Sequence, residues 1–92
     1  MAVVWIPSLL QQFAGGQETV DVPGSNLRQV LDNLTARYPA LEGQLLREGG
    51  PLQEGIAIAV DGQVVTMGLL EPVGERSEVH IIPAIGGGRT SP

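Results

Sequence analysis

Three consecutive glycines, Gly86-Gly87-Gly88, follow the apolar run Ile81-Ile82-Pro83-Ala84-Ile85 and precede a short polar end, Arg89-Thr90-Ser91-Pro92. Glycines offer a core no side chain, and fixing three in a row is entropically costly. A segment of this kind is held out for another molecule to grip. The one reactive group it could offer is a terminal carboxylate. As written, residues 89–92 cover that carboxylate as an amide.

The other residues that could do chemistry fall away one by one. The chain has one histidine, His80, and no cysteine, so zinc-ligand spacing is impossible and no thiolate nucleophile exists. A Ser–His–carboxylate triad would have to use His80, and nothing around Ser8, Ser25 or Ser77 resembles a nucleophile elbow. The glycine clusters match neither the dinucleotide fingerprint nor the P-loop, and Gly86-Gly87-Gly88 opens no helix that could bind an anion. Glu71 and Glu75 lie in a loop-like stretch and read as solvated surface charge. The chain alone is therefore not expected to be an enzyme. His80 alternates away from Val79 and Ile81, which makes it an ordinary outer-face strand residue or a partner contact. Trp5 alternates away from Val4 and Ile6; it is either an interface anchor on an open sheet face or packs against neighbouring strand residues.

These residues must be positioned by a small scaffold. Ninety-two residues make one domain with one compact core. Aromatic residues are few (Trp5, Phe13 and Tyr38), so packing rests on Val, Ile and Leu. Residues 2–6 are β-branched and aromatic and read as a strand ending at Pro7. Gly15-Gly16 is a turn signal, and residues 18–22 alternate as a half-buried strand; the pair forms an opening hairpin with Leu9, Leu10 and Phe13 in its arm. Leu27, Val30, Leu31 and Leu34 make one helical stripe, with Asn26 as N-cap and Gln29 completing a capping-box-like pair. Tyr38-Pro39 ends this helix, and Leu41, Leu45 and Leu46 suggest a further irregular or helical turn. Gly49-Gly50-Pro51 is loop, residues 56–60 are a strand, and Asp61-Gly62 predicts a type I′ hairpin into Val64-Val65. After a Gly-, Glu- and Pro-containing stretch over 68–76, residues 78–83 form the last strand. The order ββαββ, with four to five strands and one main helix, predicts a two-layer α+β fold. Residues 1–85 are the domain and 86–92 its tail.

Charge constrains the partners. Ten acidic residues oppose five arginines, a formal net charge of −5. That argues against nucleic acid, which demands clustered positive charge, and suits docking on a basic protein surface. The chain lacks lysine altogether. Either this denies an activated terminus any side-chain amine, or it reflects a biased base composition that also favours Ala, Gly, Arg, Val, Leu and Pro. No secretory signal and no span of about 20 apolar residues is present, so a cytoplasmic, membrane-free location is expected.

Taken together, the ββαββ order and the glycine tail resemble the β-grasp, ubiquitin-like sulfur carriers of the MoaD/ThiS type. The resemblance spans nearly the whole chain. It rests on Ile6-Pro7-Ser8-Leu9-Leu10 with Gly15-Gly16, the helix from 27 to Tyr38-Pro39, Val60-Asp61-Gly62, and Glu78-Val79 running to Pro83-Ala84-Ile85. Each piece alone is weakly specific, whereas their order and spacing are fairly specific. It implies a mixed sheet with one main helix and a carrier that binds no cofactor. An E1-like partner would use ATP to adenylate the last glycine carboxylate. The adenylate would become a thiocarboxylate, whose sulfur passes to an enzyme of molybdopterin, thiamin thiazole, cysteine or thiolated-tRNA synthesis. Such carriers usually end at Gly-Gly, so the resemblance makes Gly86 a spacer and Gly87-Gly88 the functional pair, with Gly88 activated. All three glycines would thread into partner channels, where a Cβ would clash. Residues 89–92 then form a cap for a maturation peptidase to cut between Gly88 and Arg89, unless they are a tolerated remnant. Trp5, His80 and Ile85 are candidate partner contacts. Two other readings remain: a protein modifier that forms isopeptide bonds, and a β-grasp interaction module with an inert tail.

Overall fold

The computed structural model describes residues 1–47, 52–53, 55–65 and 68–83. A five-stranded mixed sheet is built from β1 (Ala2–Trp5), β2 (Thr19–Val22), β3 (Ile56–Val60), β4 (Gln63–Val64) and β5 (Glu78–Pro83), in the order β2-β1-β5-β3-β4. The main helix, α1 (Leu27–Arg37), is followed by a single 3-10 turn and the short α2 (Glu42–Leu45). β1 pairs antiparallel with β2 and parallel with β5, while β3 pairs antiparallel with both β5 and β4. The α+β expectation holds. The predicted Gly49-Gly50-Pro51 loop and the tail over 86–92 lie outside the described residues.

Period-two alternation decides which face of the sheet is covered. Ala2 and Val4, Val20 and Val22, Ile58 and Val60, and Val79 and Ile81 all turn inward and are buried. They meet Leu27, Val30, Leu31 and Leu34 of α1, with Leu41 and Leu45 filling the end of the same cluster. Burying a Leu or Val side chain contributes on the order of 1.5–3 kcal/mol, so this one layer of aliphatic contacts holds the sheet to the helix.

α1 starts as predicted, with one change. Asn26 Oδ1 accepts from the Gln29 N–H at 2.8 Å, but Gln29 Oε1 returns to the N–H and hydroxyl of Ser25 (2.8 and 2.9 Å), one residue earlier than a capping box requires. Gly24 before it has φ +151°, and an added Cβ would lie 2.8 Å from the Val30 backbone N, so the chain turns into the helix through a space only glycine fits. The arm between β1 and β2 is more regular than expected. It forms a 3-10 helix over Ser8–Ala14 that buries Leu10 and Ala14 and leaves Leu9 exposed.

Two further elements differ from expectation. β1 ends at Trp5, yet the Ile6 N–H still donates to the Glu18 carbonyl at 2.8 Å before Pro7 interrupts the ladder. The stretch over 68–76 is pinned rather than loose. The Leu27 N–H donates to the Glu71 carbonyl at 2.9 Å, and the Val73 N–H to that of Ser25 at 3.0 Å. Glu71 is accordingly half-buried, while Glu75 is exposed as expected.

Candidate functional site: the base of the tail and the open sheet face

The strand that leads to the glycines is the centre of the sheet. β5 lies between β1 and β3, Val79 and Ile81 anchor it in the core, and its last residue, Pro83, pairs with Ile56. Whatever follows Pro83 thus leaves from a strand paired with β1 up to His80 and with β3 up to Pro83 itself. Ile85, Gly86, Gly87, Gly88 and Arg89 themselves lie outside the described residues.

Opposite the helix, the sheet carries a second set of side chains. The register places Thr19, Trp5, His80, Ala59 and Val64 in one row across all five strands. A parallel row holds Asp21, Val3 and Glu78, and a third holds Ile82 and Ala57. Trp5 and His80, considered separately from the sequence, are direct neighbours. Their rings stack with centroids 5.3 Å apart and planes 5° from parallel. His80 Nε2 also lies 3.5 Å from Glu78 Oε1. Trp5 is half-buried, and its indole N–H is buried with no acceptor among the described residues. Trp5 therefore packs against a strand neighbour and still presents part of its surface on the open face. Small Ala59 separates this stack from Val64, which is 63% exposed, and Ile82, opposite Ala57, flanks it at 41%.

Val64 and Ile82 were not singled out from the sequence. Ile82 could have been, since it stands two residues beyond His80 and so shares its face. The turn that supports β5 was also only half visible. Asp61 and Gly62 have positive φ (52° and 86°), as the predicted type I′ turn requires. Beyond that, Asp61 Oδ1 accepts from the Glu78 N–H at 2.9 Å and Asp61 Oδ2 from the Ser77 hydroxyl at 2.8 Å. The Ser77 oxygen in turn accepts from the Gly74 N–H at 2.8 Å. The Glu78 N–H, and then the Ser77 hydroxyl, hold the Asp61 carboxyl below the usual carboxylate range, because both stabilise its ionised form.

Among the described residues, no group of three or more His, Asp or Glu side chains could hold a metal ion. None of their helices is long and apolar enough to cross a membrane. What the arrangement offers is a rigid sheet with an aromatic and aliphatic open face, carboxylates at one end of that face and the exit of the tail at the other.

A five-stranded mixed sheet grasping one main helix, with the chain leaving from its central strand, defines a ubiquitin-like β-grasp protein. Residues 4–88 match the ThiS family, and the chain belongs to that family. It is 32% identical over 89 residues to the sulfur carrier protein CysO of Mycobacterium tuberculosis, covering 92% of this chain and 96% of the relative. The crystal structure of the Amycolatopsis orientalis BexX/CysO complex contains a chain that superposes with a TM-score of 0.88 at 27% identity, covering 96% of this chain and 100% of that one. SAMP1 from Haloferax volcanii superposes with a TM-score of 0.78 at 28% identity, covering 95% and 98%.

Proposed function

We propose that this chain is a sulfur carrier, acting as a protein co-substrate rather than as an enzyme. Its activation begins with a cut between Gly88 and Arg89. The freed Gly88 carboxylate attacks the α-phosphate of ATP on an E1-like partner and releases pyrophosphate. A hydrosulfide equivalent then displaces AMP and leaves the thiocarboxylate. Sulfur passes from Gly88 to a biosynthetic enzyme, and we place cysteine synthesis ahead of molybdopterin, thiazole and tRNA thiolation because of the likeness to CysO. The observation that carries the reading is the family match itself, which runs through both glycines of the pair and ends at Gly88. Gly86, Gly87 and Gly88 thread into the partner, and the open face at Trp5, His80 and Ile82, with Ile85 beyond it, docks beside the entrance. The net charge of −5 favours a basic partner surface.

Intact-mass measurement tests this. The chain ending at Gly88, incubated with the activating enzyme, ATP and a sulfide source, is expected to gain the mass of one oxygen-for-sulfur exchange. A chain that is adenylated but never exchanges oxygen for sulfur would sink sulfur carriage. The likeness to SAMP1, one of the small archaeal modifier proteins, supports a second reading in which the same activated terminus forms isopeptide bonds with target lysines. Higher-mass adducts carrying this chain in cell extracts, removed by Gly88→Ala, would select that reading.

A further inference from the structure

The 92-residue chain contains no lysine, so the one amine it carries is the α-amino group of Met1. That amine sits at the far end of the sheet from the tail. β1 and β5 run parallel, with Val3 opposite Glu78 and Trp5 opposite His80. Met1 therefore lies where β5 begins, whereas the chain leaves β5 at the other end, after Pro83. It is held there, because Ala2 is fully buried and paired with Val22. By register, Met1 stands two residues before the level of Glu78 and Pro83 five residues after it. Seven residues of strand at a rise of ~3.3 Å separate the two levels by about 23 Å. From Pro83 to Gly88 the chain adds five residues, which span at most about 18 Å when fully extended. Gly88 falls short of its own amine.

We infer that, with Gly88 acyl-activated as proposed above, this chain is isolated from its own activated terminus. It closes no ring onto Met1 and builds no isopeptide-linked chains of itself, so the acyl group is not spent on an amide within its own chain. The step avoided is attack of an amine nitrogen on the acyl carbonyl. That attack forms an amide, expels AMP or a thiol, releases a proton, and ends the life of a carrier. The five arginines do not substitute for lysine, since their guanidinium groups stay protonated and are poor nucleophiles. Where the acceptor is an amine on another protein, each attachment adds one copy and offers no side chain for a second.

The inference rests on Gly88 being the activated residue, but its test bypasses the activating enzyme. The chain ending at Gly88 is made as an α-thioester of 2-mercaptoethanesulfonate and kept at mildly alkaline pH, at low micromolar concentration so that collisions between copies are rare. Ile82→Lys places one amine on an exposed position beside the exit of the tail. Hydrolysis to the acid is expected for the native chain. The variant is expected to yield a lactam ring, one water lighter than the acid, at least about ten-fold more abundantly, because its amine acts at a high effective concentration. A lactam ring from the native chain overturns the inference. So do equal ring yields in the two chains, including none in either. Neither result bears on sulfur carriage, which the enzymatic thiocarboxylate assay decides separately.

Discussion

The indole of Trp5 lies flat on the His80 imidazole, and its N–H is buried without an acceptor among the described residues. A stacked aromatic pair contributes roughly 0.5–1.5 kcal/mol beyond its buried area. An unsatisfied buried donor costs roughly 1–3 kcal/mol. The donor's cost offsets the stacking gain, so stability alone does not account for tryptophan at this position; on the reading proposed above, the part of the half-buried indole left on the open face is what a partner contacts. Trp5→Phe keeps a ring over His80 and removes the orphaned donor, and its unfolding free energy in urea is expected within about 1 kcal/mol of native. Trp5→Ala loses the stack as well and is expected to cost about 2 kcal/mol. Both variants should bind the activating partner at least about ten-fold more weakly. Native-like binding by Trp5→Phe would mean that a smaller ring suffices for docking, and native-like binding by both would remove Trp5 from the docking surface. Alternation along each strand placed Trp5 and His80 on the open face. Their pairing was not legible, because it depends on the parallel register between strands 75 residues apart in sequence, Trp5 opposite His80.

Among the elements, β5 matters most, because it carries the tail and sits at the centre of the sheet. Its start is fastened by the β3–β4 turn. The Asp61 N–H donates to the Glu78 carbonyl at 2.8 Å, while the Asp61 carboxylate accepts from the Glu78 N–H and the Ser77 hydroxyl. Those two donors lower the folded-state pKa of Asp61. The unfolded chain then binds a proton more readily than the folded one, so ionisation of Asp61 favours folding. The contribution is complete above the ordinary aspartate value of about 3.9 and is lost as pH falls through the lower folded value. Thermal melts taken from neutrality into acid are expected to show a steeper fall for the native chain than for Asp61→Asn, which has no carboxylate to titrate. Parallel falls would mean that Asp61 does not contribute to acid lability. The bounds of β5 and the Asp61-Gly62 turn were readable because alternation and turn chemistry are local. The 3-10 arm over Ser8–Ala14 and the pinned stretch over 68–76 were not. The latter is held by hydrogen bonds to Ser25 and Leu27, whose positions only the packed helix supplies.

For the whole molecule, the fold anchors the strand that leads to the glycines, and on the reading proposed above the chemistry falls to the chain terminus and its partners. On that reading, the state of the terminus decides whether the protein can act at all. With residues 89–92 attached, the Gly88 carbonyl belongs to an amide, whose nitrogen lone pair is delocalised. It therefore has no anionic oxygen to attack the α-phosphate of ATP. Removing those residues exposes a carboxylate without changing the sheet, since the anchors of β5 end at Ile81 and Pro83 pairs with Ile56. Two chains, 1–92 and 1–88, should therefore unfold at the same urea concentration yet differ in ATP–pyrophosphate exchange with the activating enzyme. The shorter chain is expected to support exchange and the longer one none. Adding a peptidase that cuts after Gly88 should bring the longer chain to the rate of the shorter. Exchange at equal rates before any cut would mean that residues 89–92 do not lock Gly88 and that activation uses the Pro92 carboxylate. In that case Gly88→Ala would leave the rate unchanged, which separates a misplaced active terminus from a failed preparation.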